Sequence, residues 1–328
     1  MIIGNIDTEK EVFVIAEAGN NHEGDFQKAL DLVDAAAESG AHAIKFQTII
    51  PDKLVSPLEI KRIEQLKRFQ FSMDQFAQLK ARADQRDLQF LSTPFALEVV
   101  DGLNELVTAF KIASGDLTWH DLIRAVAKKG KPVLLSTGAA RLDEIQTTIQ
   151  VYETAKGSCP SQIALLHCVM AYPAPAEALN LNVLRQYKNL FSTIGYSDHY
   201  LGIQSCVAAV ALGARIIEKH FTLDKQTSDF RDHQLSANPV EMKQMTNLIK
   251  EIAPMLGHSE KELQACEKDI LTLARRSPKA KSNLSQGHVI KNSDILVVRP
   301  NSGLCASTNC IGKTLSKDTT LGSDLVIT

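Results

Sequence analysis

Cysteine is scarce and scattered in this chain. The six residues, Cys159, Cys168, Cys206, Cys266, Cys305 and Cys310, form no Cys-x-x-Cys pair and no zinc-ligand spacing, so the sequence carries neither a disulfide framework nor a zinc motif and reads as a cytoplasmic protein with reduced thiols. Neither sign of charge dominates: 36 Lys and Arg against 38 Asp and Glu leave a net charge of -2. No global field therefore attracts nucleic acid or a membrane surface, and a small anionic ligand has to be held by local groups. No apolar run approaches the roughly 20 residues that span a bilayer. The first apolar segment, VFVIAEAG, is short, contains Glu17 and has no basic region ahead of it, which argues against a signal peptide. No Gly-x-Gly-x-x-Gly turn follows that segment, which leaves a dinucleotide-binding fold without support.

What the sequence does have is alternation. From Glu11 to about Asp224, short apolar runs (VFVIAEAG, AIKFQT, LQFLSTPF, AFKIASGD, PVLLSTG, IALLHCVMAYP, TIGYSDH and RIIEKHFTLD) are each followed by an amphipathic helical segment. Eight strand–helix units over this length predict a closed (β/α)8 TIM barrel, with the eighth helix around Val240 to Leu256. The expected division is a barrel over 1–257, a polar helical linker over 258–276 and, over 277–328, a small β-rich domain of short turns and strands. About fifty residues lie near the lower limit for folding alone, so that domain is expected to lean on a barrel.

A strand buried on both faces should be almost wholly Val, Ile and Leu. These strands instead end in polar residues: Glu17, Lys45, Gln47, Ser92, Thr93, Lys111, Ser114, Asp116, Ser136, Thr137, His167, Tyr172, Ser197, Asp198, His199, Glu218 and His220. The stretch Gly195–Asp224 is the most informative. Alternate strand residues share a face, so Ser197 goes with His199 and Glu218 with His220, and two histidines reach the carboxyl ends of successive strands. Either histidine alone reads equally well as a satisfied core residue; together, beside Glu218 and Asp198, they read as a metal pair. Lys45 and Lys111 cannot stay unpaired at such positions. They either pair with Glu17, Asp116 or Glu218, or await an anionic ligand. With Thr93, Ser114, Ser136 and the SGD and STG turns they make a cradle for phosphate and carboxylate. A metal beside such a cradle suits addition of a phosphorylated enol to an aldehyde, although a metal aldolase or isomerase would need similar parts.

Taken in order, IAEAGNNHEG, KFQT, STPF, KIASGD, STG, LLHCVMAYP, GYSDH, EKHFTLD, DHQLSANP and VVRPNSG resemble the sialic acid synthase family over essentially the whole chain. That resemblance implies a transferase that forms a carbon–carbon bond, joining phosphoenolpyruvate to an N-acetylated hexosamine to give a nonulosonic acid and phosphate. It implies that His199 and His220 hold a divalent ion, usually manganese, with magnesium or cobalt as alternatives. Lys45, Thr93, Lys111, Ser114, Ser136 and Ser197 match the phosphoenolpyruvate-binding positions. Glu17 and Glu218 match the catalytic carboxylates, one near the reacting carbons and one beside the metal. Tyr172 and Asp232 match contacts to the acceptor sugar. The last domain resembles the family's antifreeze-like (SAF) domain, which reaches across a domain-swapped homodimer. Arg299 then matches the arginine it offers to the neighbouring subunit's sugar.

One departure bears on the acceptor. Two positions before Tyr172, where N-acetylneuraminate synthases of this family carry an asparagine, the chain has Met170, and a thioether cannot replace an amide's hydrogen bonds. SDFRDHQLSANP also lacks the Gly-Pro that usually precedes it. N-acetylmannosamine therefore stands beside the acceptors of legionaminic, pseudaminic and deaminated nonulosonic acid synthases. The more distant alternatives are a metal-dependent aldolase and a non-catalytic sugar-binding protein.

Overall fold

The structure is a computed structural model describing residues 1–159 and 162–328. The chain divides into two compact units, Met1–Gly257 and His258–Thr328. In the first, a short antiparallel hairpin, β1 (Ile2–Ile3) and β2 (Ile6–Asp7), precedes eight parallel strands. These are β3 (Phe13–Gly19), β4 (Ala43–Thr48), β5 (Gln89–Pro94), β6 (Phe110–Ile112), β7 (Val133–Ser136), β8 (Ile163–Cys168), β9 (Ile194–Asp198) and β10 (Ile216–His220). They pair in chain order, and β10 closes on β3 with His220 opposite Glu17. The eight runs read from the sequence are these eight strands, and the fold is the expected (β/α)8 barrel.

Local chemistry sets the helices between them. The helix Phe26–Glu38 starts where the Asp25 carboxylate accepts from the Lys28 amide and is followed by Gly40 at φ +75°, a conformation that favours glycine. Met73–Gln85 begins with a reciprocal Ser72–Gln75 capping box. Pro239–Ile252, the eighth helix, has Pro at its first turn and an Asn238–Glu241 box, the arrangement that satisfies orphan amides at a helix start.

The strands separate two cores. Outward residues such as Val14, Ile44, Phe90 and Ile217 pack against the helices. Inside the barrel lie Phe13, Ile15, Ala43, Leu91, Ala109, Leu134, Ala164, Leu166 and Ile216, joined by Met1 and Ile3 from the N-terminal segment. The hairpin thus supplies the residues that close the amino end of the barrel interior. Gly195 belongs to this inner face: a Cβ there would fall 2.6 Å from the Ile216 carbonyl oxygen and 3.0 Å from Leu166 Cγ, so only glycine lets the neighbouring strands close.

The second unit contains β11 (Ser277–Ala280) paired antiparallel with β12 (Ile295–Val298) and isolated bridges such as Leu284–Thr319 and Leu315–Ile327. Ala280, Ile290, Cys310, Leu315 and Leu325 form its small core. The segment before β11 is less helical than its composition predicts. Only Ala265–Glu267 and Lys268–Ala274 form helical turns, because 258–264 is exposed throughout and offers no buried stripe to hold a helix. No helix among the described residues is long and apolar enough to cross a membrane.

Candidate active site at the barrel mouth

Along every strand the residue two places beyond the inner apolar layer is polar or a cysteine. Ile15 is succeeded by Glu17, Ala43 by Lys45, Leu91 by Thr93, Ala109 by Lys111, Leu134 by Ser136, Leu166 by Cys168, Gly195 by Ser197 and Ile216 by Glu218. Since side chains alternate, all of these point inward, and all line one cavity of about 1110 Å³ at the carboxyl ends of the strands. The sequence-predicted residues Glu17, Lys45, Thr93, Lys111, Ser114, Ser136, Tyr172, Ser197, His199, Glu218, His220 and Asp232 all border it. Arg299 follows β12, in the second unit.

The charges pair at the floor of this cavity. Lys45 Nζ lies 2.6 Å from Glu17 Oε2 and 3.7 Å from Glu218 Oε2, and Lys111 Nζ lies 3.2 Å from Glu218 Oε1. Lys45 also donates to Thr93 Oγ1 at 3.0 Å, and Ser197 donates to Glu218 Oε1 at 2.8 Å. Asp116, a possible partner from the sequence, takes no part. Burial alone would raise the Glu218 pKa, but the Lys111 and Lys45 ammoniums hold it down to about 2. Burial would likewise lower Lys45, and the facing Glu17 and Glu218 outweigh it and raise its pKa. Burial depresses Lys111, against the pull of Glu218. Glu17 is pushed up by burial and by the nearby Glu218, despite its contact with Lys45. The lysines thus hold Glu218 ionised, while burial and the facing carboxylate push Glu17 the other way, so the two carboxyls are tuned apart.

Around this floor stand hydroxyls, one of them without a partner. Ser136 Oγ is buried and makes no hydrogen bond. Ser114 Oγ accepts from the Gly138 amide at 2.9 Å, which ties the SGD and STG turns together. A Cβ on Gly138 would lie 2.8 Å from Met170 Cγ and 2.9 Å from Ser114 Oγ, so this approach requires glycine. Burial raises Asp116 to about 6.

His199 and His220 stand with ring centres 5.3 Å apart, and the Tyr172 ring lies 4.1 Å from that of His199. His199 Nδ1 meets the Val169 carbonyl at 2.7 Å. A carbonyl only accepts, so Nδ1 carries the proton and Nε2 keeps its lone pair. Buried His220 Nδ1 has no hydrogen-bond partner. Burial, reinforced by His220, lowers His199 to about 4, and burial lowers His220, so both rings are neutral at pH 7. Two neutral imidazoles, that of His220 with an unpartnered nitrogen, are groups that could hold a cation. A metal–nitrogen bond of roughly 2.1 Å puts a ring centre about 3.2 Å from the ion, so rings sharing one ion at about 90–110° would stand about 4.5–5.2 Å apart. The observed 5.3 Å lies just beyond that range. Among the described residues no group of three or more His, Cys, Asp or Glu that could hold a metal ion is found; His199 and His220 are the pair that could hold one.

Several lining residues escaped sequence reasoning. Cys168 completes the inner layer, its thiol pushed up to about 11 by burial. Gln47 donates to Glu17 Oε1 at 2.9 Å and accepts from Asn20. Arg62, Gln65, Arg68 and Phe230 come from the β4 and β10 excursions, and the Arg231 guanidinium lies 4.5 Å from the centre of the Tyr172 ring. Gln47 is one of the polar strand-end residues that the sequence singles out, and it lines the cavity; the others carry no such signal. Asp198, in contrast, was expected beside the histidines and lies on the outer face of β9, bonded to Lys219 at 2.6 Å; strand alternation turns both away from the cavity.

The profile of the NeuB family matches residues 32–261. The chain belongs to the NeuB family. Its relatives include N,N'-diacetyllegionaminic acid synthase of Campylobacter jejuni, 37% identical over 90% of this chain and 93% of the relative. N-acetylneuraminate-9-phosphate synthase of Homo sapiens is 34% identical over 88% and 82%. Among solved structures, the citrate complex of N-acetylneuraminic acid (sialic acid) synthetase from Leptospira borgpetersenii superposes with a TM-score of 0.77. It is 36% identical and covers 82% of this chain and 94% of that one. The resemblance carried by the ordered motifs is therefore borne out for this NeuB-family chain.

Proposed function

We propose that this NeuB-family enzyme forms a carbon–carbon bond by condensing phosphoenolpyruvate with an N-acylated hexosamine, N-acetylmannosamine or a relative, to give a nonulosonic acid and phosphate. The carrying observation is the polar inner layer, in which two lysines, a row of hydroxyls, two differently tuned carboxylates and two neutral imidazoles converge on one cavity. The names of the relatives, sialic and legionaminic acid synthases, support the same reading.

In this reading Lys45 and Lys111 neutralise the phosphate and carboxylate of phosphoenolpyruvate, with Thr93, Ser114, Ser136 and Ser197 donating to their oxygens, a preorganised electrostatic role. Tyr172 and Asp232 face the acceptor. A divalent cation, manganese by preference with magnesium or cobalt as alternatives, held by His199 and His220, would polarise the acceptor carbonyl. The enol methylene bonds to that carbon. Water then adds to the former enol carbon, and the C–O bond to phosphate breaks. The acceptor's former carbonyl oxygen takes up a proton to become a hydroxyl, Glu17 takes the proton from the water, and Glu218 stays ionised and keeps both lysines in place. The unit 258–328 is proposed to contain the antifreeze-like domain, from about residue 277, which brings Arg299 to the acceptor of a second subunit in a domain-swapped homodimer. The work is assigned to the cytoplasm.

Met170 gives the acceptor side its own observation. It is 44% exposed and borders the cavity, presenting an apolar, polarizable surface where a hydrogen-bonding amide would select a hydroxyl. An acceptor with an extra acyl group is favoured on that side. Phosphate release from phosphoenolpyruvate with manganese, compared across N-acetylmannosamine, diacetylated and non-acetylated acceptors, tests the reading. Release with one acceptor establishes the condensation and names the sugar. Sugar binding with no phosphate release from any acceptor would overturn it.

A further inference from the structure

Asp198 and Lys219 take no part in the chemistry just described, yet they directly adjoin the two histidines in sequence. Each lies on the outer face of its strand, and the strands are paired so that Asp198 stands opposite Lys219. Both side chains are 0% exposed, with Lys219 Nζ 2.6 Å from Asp198 Oδ2. The other carboxylate oxygen, Oδ1, accepts from Tyr196 Oη at 2.7 Å, Ser205 Oγ at 2.9 Å and the Tyr200 amide at 3.2 Å. Lys219 Nζ also donates to the Tyr200 carbonyl at 2.5 Å. The two residues that flank His199, Asp198 and Tyr200, are therefore both fastened to the residue that precedes His220. Ser205 extends the fastening to the helix Gln204–Ala211.

Stability alone does not call for such a device. A buried ion pair is about as stable as a well-packed apolar pair of similar volume, because desolvation offsets the attraction. What charges and directed hydrogen bonds add is a fixed geometry. A two-histidine site depends on it more than a fuller cage does, since among the described residues no third His, Cys, Asp or Glu groups with the rings to share in holding an ion.

We propose that Asp198 and Lys219 are positioning residues whose buried pair fixes His199 and His220 at the separation that one divalent cation requires. This rests on the reading of the two histidines as the metal pair. Without the clamp the strand ends remain, but the imidazoles lose their common register.

The test is manganese binding to the full-length protein, measured by calorimetry, on wild type, on the charge-free double variant Asp198→Leu/Lys219→Met and on Tyr196→Phe. Phosphoenolpyruvate affinity in chelator and the unfolding midpoint are measured alongside. The expected result is a folded double variant whose manganese affinity falls 10- to 100-fold while phosphoenolpyruvate binding, which depends on Lys45 and Lys111, is unchanged. Activity should recover as manganese is raised. Unaltered manganese affinity in the folded double variant would overturn the proposal. If that variant does not fold, Tyr196→Phe decides: a several-fold loss of manganese affinity supports the clamp, and none refutes it. Manganese binding that His220→Ala leaves untouched would instead remove the metal reading beneath it.

Discussion

The two ends of the barrel interior are built on the same strands, two residues apart, and obey opposite rules. At the amino end Phe13, Ile15, Leu91, Leu134 and Ile216 pack without a polar atom among their side chains, and their contribution is the hydrophobic effect and close packing. At the carboxyl end Glu17, Lys45, Lys111 and Glu218 are as deeply buried, at a cost met by pairing and by the rest of the fold. One layer holds the barrel together and the other uses that rigidity to keep charges where water cannot screen them. The comparison teaches that burial at the mouth is a feature of the site, whereas burial at the base is a feature of stability.

The sharpest way to break this comparison is to remove a shared counter-ion. Lys45→Ala leaves Glu17 without its ion contact and Glu218 with Lys111 alone. It should cost about 3–5 kcal/mol in denaturant unfolding and lower kcat roughly 10²–10³-fold in a phosphate-release assay; near wild-type activity would place the phosphate elsewhere. At the base, Leu134→Ala should cost about 2–5 kcal/mol and leave KM and kcat per folded molecule unchanged. A catalytic defect without a stability defect there would erase the distinction between the layers.

A smaller effect lies at the turns. Gly138→Ala pushes a methyl between Met170 and Ser114, and the KM for phosphoenolpyruvate should rise roughly 10-fold, with most of the native stability retained, because misplacements of about 1 Å at a site are costly. A further effect is one of pH. Asp116 has a folded pKa raised from 3.8 to about 6 by burial. A carboxyl group raised in this way binds its proton more tightly when folded, so its contribution favours the folded state below about pH 4 and is lost as pH rises through about 6. Asp116→Asn should remove that slope, visible as a flatter unfolding midpoint between pH 4 and 7 than wild type shows. An unchanged slope would mean that the group titrates normally.

How far the sequence carries can be seen residue by residue. The eight strands are legible because each apolar run ends abruptly in a polar residue and is followed by a helix-period segment, and the charged floor of the cavity is legible because Glu17, Lys45, Lys111 and Glu218 break the pattern of a doubly buried strand. The hairpin of Ile2–Ile3 and Ile6–Asp7 was not, since two-residue strands have no period to read. Asp198, a polar residue beside His199 in sequence, lies outside the cavity because it shares the parity of Tyr196 rather than that of Ser197. Arg62, Arg68 and Phe230 reach the cavity from excursions beyond the strand ends, where no period predicts direction. Cys168 looked like one more scattered thiol until register set it in line with Leu166.

The most direct test of the central claim, that the polar layer is a phosphoenolpyruvate and metal site, is a crystal structure of the protein with phosphoenolpyruvate and manganese. The prediction is a phosphate within hydrogen-bonding distance of Lys45 or Lys111 and of Ser114 or Ser136, with the ion on His199 and His220. A phosphate bound away from the inner layer, or an ion that ignores both histidines, would contradict it.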